Sequence, residues 1–248
     1  MPTTPTTAAT ISFRDSIRWL PDEASEPTQT IVLTSLKSGA FLDVRFNKHD
    51  GSLDWAFAGF RTFSLDEDNK SITKFTHHLD SRTLHPLTVP DIGVNTPLPD
   101  GRTLEAGEMG HPATGVVTRY EEVWRDEEYR DSDSKDADAV FVRTLNSESD
   151  AEDCWRARVG SWQLALGRTG REFWAWQASA NPTSNSNPNP NSNSTLPSHP
   201  SLAWTRIYST PLPDTDSSTT KFLPDESITS RWESGSTVEW EGREWLVL

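Results

Sequence analysis

One cysteine, Cys154, stands in 248 residues. An internal disulfide is therefore excluded, and so is a cysteine-rich zinc site. Hydrophobic residues make up only 33% of the chain, and mean hydropathy is -0.64. Part of the chain is thus expected to stay outside any packed core. No apolar run approaches the roughly 20 residues that a membrane helix needs. The Thr- and Pro-rich first ten residues lack the charged-then-apolar order of a signal peptide. Basic residues are scarce too: 23 Lys and Arg face 37 Asp and Glu, a net charge of -14. That balance disfavours nucleic acid and anionic lipid, and its ordinary meaning is solubility. Neither a nucleic-acid partner nor membrane insertion is expected. The expected compartment is cytoplasm and nucleus.

Three Tyr and two Met contrast with eleven Trp. Trp supplies much buried area per residue and favours strands. The run Leu53-Asp54-Trp55-Ala56-Phe57-Ala58-Gly59 organises the reading. As a strand it puts Trp55, Phe57 and Gly59 on one face and the small Ala56 and Ala58 on the other. Such a strand curves, with a close neighbour on its small side, and Gly59 permits a bulge or a sharp exit. A core strand is the first reading; a cavity lined by Trp55 is the sharper one.

Along the chain, 1–10 reads as a flexible tail. A loosely patterned strand follows to Leu20, then a strand over 30–34. Leu42, Val44 and Phe46 alternate with Asp43 and Arg45, the pattern of a half-buried strand. With the Trp55 strand these make a meander. Phe63–Leu65 and Ile72–Leu79 predict a hairpin about an acidic turn. Residues 83–114 are rich in Pro, Gly and Asp and read mainly as loop. A strand resumes to Trp124, with a helix over 121–129 as the second reading. The acidic run 131–138 has nothing to bury and is the expected linker between domains at 11–130 and 139–248.

In the second half, the apolar phase of Trp155, Ala157 and Val159 slips at Gly160-Ser161 to that of Trp162, Leu164 and Leu166. A β-bulge leaves such a slip. Trp174 and Trp176 share a face. Residues 179–201 are almost all Ser, Asn and Pro and read as a disordered hairpin insert. Leu202, Trp204 and Tyr208 fall on one phase, 224–227 can start a helical turn, and a hairpin closes the chain. The sum is an all-β protein, for which closed barrels are one way to hide strand edges.

Four runs together carry a resemblance. They are Asp54-Trp55-Ala56-Phe57-Ala58-Gly59, Tyr120-Glu121-Glu122-Val123-Trp124, Val159-Gly160-Ser161-Trp162-Gln163, and Gly235-Ser236-Thr237-Val238 with Trp245. They resemble the fungal Hri-one family, named for interaction with a casein-kinase-I-type kinase. The resemblance implies two tandem lipocalin-like (calycin-like) antiparallel β-barrel halves, a kinase partner, and contact with a subunit of the protein-translocation machinery at the endoplasmic reticulum. It supplies no catalytic residues. The insert at 179–201 departs from the compact family pattern.

The chemistry-bearing residues are few. His77 and His78 point to opposite faces of a strand and do not converge on one metal ion. No Gly-x-Ser-x-Gly elbow and no phosphate-cradling loop are present. A Ser-His-Asp triad stays open, because its members need not be near in sequence. Asp80 and Arg82 share a strand face and either anchor a polar ligand group or stabilise the adjacent loop. Gly160 and Trp162 match the Gly-x-Trp start of calycin barrels, where the indole closes the floor. The candidate pocket or core residues are Trp55, Phe57, Asp80, Arg82, Trp162, Trp174 and Trp176. No cofactor, metal or catalytic residue is assigned. The expectation is a non-enzymatic binding or adaptor protein, with a small hydrophobic ligand in a barrel. The alternative is an isomerase- or cyclase-type enzyme acting on such a ligand.

Overall fold

The computed structural model describes residues 7–130, 139–145, 153–182, 202–212 and 221–248. Eight strands close a barrel in sequence order: β1 (Thr7–Trp19), β2 (Thr28–Ser35), β3 (Ala40–Asn47), β4 (Leu53–Leu65), β5 (Ser71–Asp80), β6 (Ile92–Pro97), β7 (Thr103–Gly110) and β8 (Val117–Arg130). All neighbours are antiparallel, and β8 returns to β1 from Trp19↔Tyr120 to Thr7↔Arg130. Closure leaves the barrel no free edge.

Seven further strands form one sheet. They are β9 (Ala139–Thr144), β10 (Asp153–Val159), β11 (Trp162–Thr169), β12 (Glu172–Pro182), β13 (Leu202–Ser209), β14 (Thr237–Trp240) and β15 (Arg243–Val247). Their order is β13-β12-β11-β10-β9-β15-β14. The second half is thus an open sheet among the described residues, not the expected second barrel. Its two faces are covered by other parts of the chain rather than by itself. One face packs Trp155, Ala157, Leu164, Leu166 and Ala175 against the outside of the barrel, where Ile31, Leu33, Leu42, Val44, Ala56 and Ala58 meet them. The other face carries Trp174, Trp176 and Trp245 beneath Leu223, Phe222 and Trp232. Helix α1 (Glu226–Thr229) is the single turn expected there.

Buried arginines hold this covering segment down. Arg156 donates to the Lys221 carbonyl, and Arg158 donates to the Pro224 carbonyl and to Thr229 Oγ1, each at 2.5 Å. Arg156 lies 5.1 Å and 5.4 Å from the ring centres of Trp240 and Trp245. Much of the tryptophan excess is this cage, in which an indole face meets a desolvated cation.

Several local expectations change. Residues 83–114 hold β6 and β7 as well as loop. Their Gly-rich strands lack an apolar alternation because the facing side chains fill the room. A Cβ on Gly107 would come within 2.7 Å of the Tyr120 ring, and one on Gly93 within 2.5 Å of the Glu105 carboxyl carbon. The 121–129 helix is not formed, since β8 continues to Arg130. The slip at Gly160 is a two-residue hairpin turn, not a bulge: Val159 pairs directly with Trp162, and Gly160 has φ 53°. Opposed residues share a face, so such a turn leaves the same odd spacing. A bulge does occur on β13 beside the Gln177–Ala178 step, and it turns Trp204 and Tyr208 to opposite faces. Strand β1 begins at Thr7 and β12 runs to Pro182, inside the expected tail and insert. The linker at 131–138 and the insert beyond Pro182 lie outside the described residues.

Candidate ligand-binding site

The barrel interior is charged. Strand β3 is buried on both faces: its apolar phase faces the second sheet, and Asp43 and Arg45 point into the barrel. Arg45 grips Asp43 with two bonds, Nε to Oδ1 at 2.9 Å and Nη2 to Oδ2 at 2.7 Å. Its Nη1 reaches Glu122 Oε1 at 3.3 Å. The same Glu122 oxygen accepts from Arg14 Nη1 at 2.5 Å, and Arg14 also donates to Glu26 and Thr28. Burial alone would lower the Arg45 pKa; Asp43 and Glu122 outweigh it and raise it well above the usual value. A fork-on-carboxylate geometry is the one that tolerates such burial.

A second cluster sits beside the first. His77 stacks on Phe57 with ring centres 4.2 Å apart. Its Nδ1 lies 2.8 Å from Asp80 Oδ2 and its Nε2 2.9 Å from Asp91 Oδ2. Burial pulls the imidazole pKa down, but the two carboxylates win and raise it. Asp80 also accepts from the Trp55 indole at 2.9 Å and from the Arg82 backbone N–H at 2.8 Å. Those bonds and His77 hold its pKa low against burial.

Asp43, Arg45 and Glu122 of the first cluster and Phe57 and Asp91 of the second line a cavity of about 300 Å³ inside the barrel. Its wall combines Val32, Phe57, Phe75, Met109 and Trp124 with Asp43, Arg45, Asp91, Glu105 and Glu122; Arg61, Phe63, Pro97 and Asp126 also line it. Phe63, Pro97 and Asp126 are exposed, so the cavity reaches the surface at their end. Glu105 accepts a hydrogen bond from the Tyr120 hydroxyl at 3.0 Å. Burial, then Glu122 and Asp91, push its pKa up to about 8, so it is a neutral acid at pH 7. An apolar wall with a few convergent polar groups, one of them a perturbed acid, is the usual form of a small-molecule site. Among the described residues no cluster of His, Cys, Asp and Glu could hold a metal ion.

The family described as Protein HRI1 matches residues 10–248. The chain belongs to the HRI1 family. No curated protein sequence matches it. A crystal structure of an uncharacterised Saccharomyces cerevisiae protein, YLR301w, is similar in fold, with a TM-score of 0.65 and 14% identity over 97% of this chain and 98% of that one.

In this HRI1-family chain the candidate residues named from sequence are scattered. Phe57 lines the cavity. Trp55 and Asp80 lie next to it in the barrel interior. Asp80 and Arg82 do not pair through their side chains: Arg82 turns outward to Asp54 at 3.3 Å and covers the Trp55 ring at 4.4 Å. Trp162 does not close a barrel floor; it meets Phe13 edge to face at 5.7 Å between barrel and sheet. Trp174 and Trp176 belong to the far face of the second sheet. Of the cavity-lining residues only Phe57 is a candidate from sequence; Arg45, Arg61, Asp91, Glu105, Glu122 and Trp124 are among those it does not single out. A signal existed for Asp43 and Arg45, whose alternation was read as a wet face.

Proposed function

We propose that this chain is a non-enzymatic binding protein whose lipocalin-like N-terminal barrel holds a small ligand. The cavity carries the reading: a buried apolar wall faces a fixed array of charges whose hydrogen bonds keep it in place without a ligand. Native mass spectrometry of protein purified from a fungal host is the test. A reproducible added mass that is lost when Phe57→Trp fills the cavity supports the reading. A bare mass, together with no binding of small amphiphiles by calorimetry, sinks it.

Membership of the HRI1 family supports a second role as an adaptor of cytoplasm and nucleus. Its proposed partners are a casein-kinase-I-type kinase and a translocation-complex subunit. Purification of the tagged chain from its host, followed by kinase assay of the eluate, tests this; an eluate without kinase counts against it. One observation favours the enzyme alternative, namely the neutral Glu105 acid beside Tyr120 in the cavity. Ligand recovered chemically unchanged after prolonged incubation argues for carriage rather than catalysis.

A further inference from the structure

The charges lining the cavity are not equally satisfied. Asp43, Arg45 and Glu122 are tied to one another and to Arg14, and Asp91 is tied to His77. Arg61 differs. It lines the cavity, its guanidinium lies 4.8 Å from the Phe63 ring centre, and its buried Nε–H meets no acceptor. Burial brings its pKa down to about 10, against the pull of Asp126 and Glu105, so it remains a cation at pH 7. The indole N–H of Trp124, in the same wall, is buried and also lacks an acceptor. Glu105, in the same wall, accepts from the Tyr120 hydroxyl. Two buried donors without acceptors in one wall are costly until an acceptor arrives.

Resting on the binding-protein reading above, we infer that the cavity takes a small organic monocarboxylate with an apolar body, its carboxylate held by Arg61. A guanidinium fork matches a carboxylate in two parallel bonds. A single unpaired cation neutralises a single negative charge. A doubly charged phosphate would leave an excess charge near Glu122 and Asp126. The body lies against Phe57, Phe75 and Met109, in a volume suited to a molecule of about a dozen heavy atoms.

The test is calorimetric titration of the full chain with 3-phenylpropionate, 3-phenylpropanol and phenethylamine, which share a body and differ in the head. The carboxylate should bind about tenfold or more tighter than the other two, and Arg61→Gln should remove that margin. Affinity for the carboxylate should fall as pH rises through about 8. There Glu105, faced by Glu122, Tyr120, Asp91, Arg45 and Arg61, becomes an anion. Glu105→Gln should abolish that fall while binding persists, and Trp124→Phe should weaken carboxylate binding and narrow, without removing, its margin over the amine. Equal binding of all three, tighter binding of the amine, or an unchanged margin in a folded Arg61→Gln overturns the carboxylate inference and leaves the pocket reading standing. Binding of none of the three overturns both.

Discussion

Gln177 on β12 donates from Nε2 to the Val44 carbonyl at 2.7 Å and to the Gln29 carbonyl at 3.0 Å. The second sheet is thus joined to the barrel by a polar contact among apolar side chains, as it is at the Arg168 guanidinium, which donates to the Asp80 carbonyl at 2.5 Å. Each Gln177 bond contributes about 1 kcal/mol, and the Gln177 Oε1 beside them is buried without a partner.

Gln177→Leu should therefore cost only about 1–2 kcal/mol, since it removes an unsatisfied oxygen along with two bonds. Gln177→Glu should cost on the order of 3 kcal/mol or more, because it buries a carboxylate against two carbonyls. Urea unfolding followed by Trp fluorescence separates the two. A Glu variant as stable as the Leu variant would show that the interface opens to water.

Gly59 lies where β4 meets a bulge in β5. The register skips His78 between Ala58↔Leu79 and Gly59↔His77. A Cβ there would come within 1.9 Å of the Thr76 carbonyl oxygen. Gly59→Ala should lose more than about 3 kcal/mol or fail to fold. Gly110→Ala, whose nearest neighbour would be an oxygen at 3.9 Å, should stay within about 0.5 kcal/mol. Thermal melts of the pair check this; equal melting temperatures would refute the close approach.

The same strand shows how much of the molecule could be read from its sequence. The large and small faces of 53–59 were legible, because period-two alternation is a property of the strand alone. Which face looks inward is a property of the assembly. Asp43 and Arg45 alternate with Leu42, Val44 and Phe46 as a half-wet strand would. Here a second sheet covers the apolar side and the barrel encloses the polar one. The charge network was hidden for that reason. Its members Arg14, Asp43, Arg45 and Glu122 come from three strands up to 108 residues apart, and each alone reads as a surface charge. Strands β6 and β7 were hidden because their glycines make room for Glu105 and Tyr120 instead of contributing apolar side chains.

Adjacent histidines should titrate in opposite directions. The His77 pKa is raised: burial opposes the charge, and Asp80 and Asp91 overcome it. The His78 pKa is lowered by desolvation and then by the Arg143 charge. Imidazole resonances followed by NMR should place the His77 midpoint above about 6.5 and that of His78 below it. Because the folded pKa of His77 is the higher one, its proton adds stability that is complete below about pH 6.5 and is lost as pH rises through the folded value. His77→Gln should flatten that part of the stability profile. A His77 that titrates below His78 would contradict the arrangement.

Glu105 should make the wild-type protein less stable than its amide variant at neutral pH. In the unfolded chain this carboxyl ionises near 4.5, whereas in the barrel it keeps its proton to about 8. Between those values the unfolded state releases a proton that the folded state retains, so stability falls as pH rises. The accumulated loss is on the order of 3 kcal/mol at neutral pH. Glu105→Gln keeps the shape and an oxygen for the Tyr120 hydroxyl but has no proton to lose. The variant should match wild type near pH 4.5 and exceed it increasingly up to about pH 8, beyond which the difference is constant. Urea unfolding across that range measures it. A difference that does not grow with pH would mean that Glu105 is ionised in the folded barrel, and the cavity would then carry an additional negative charge.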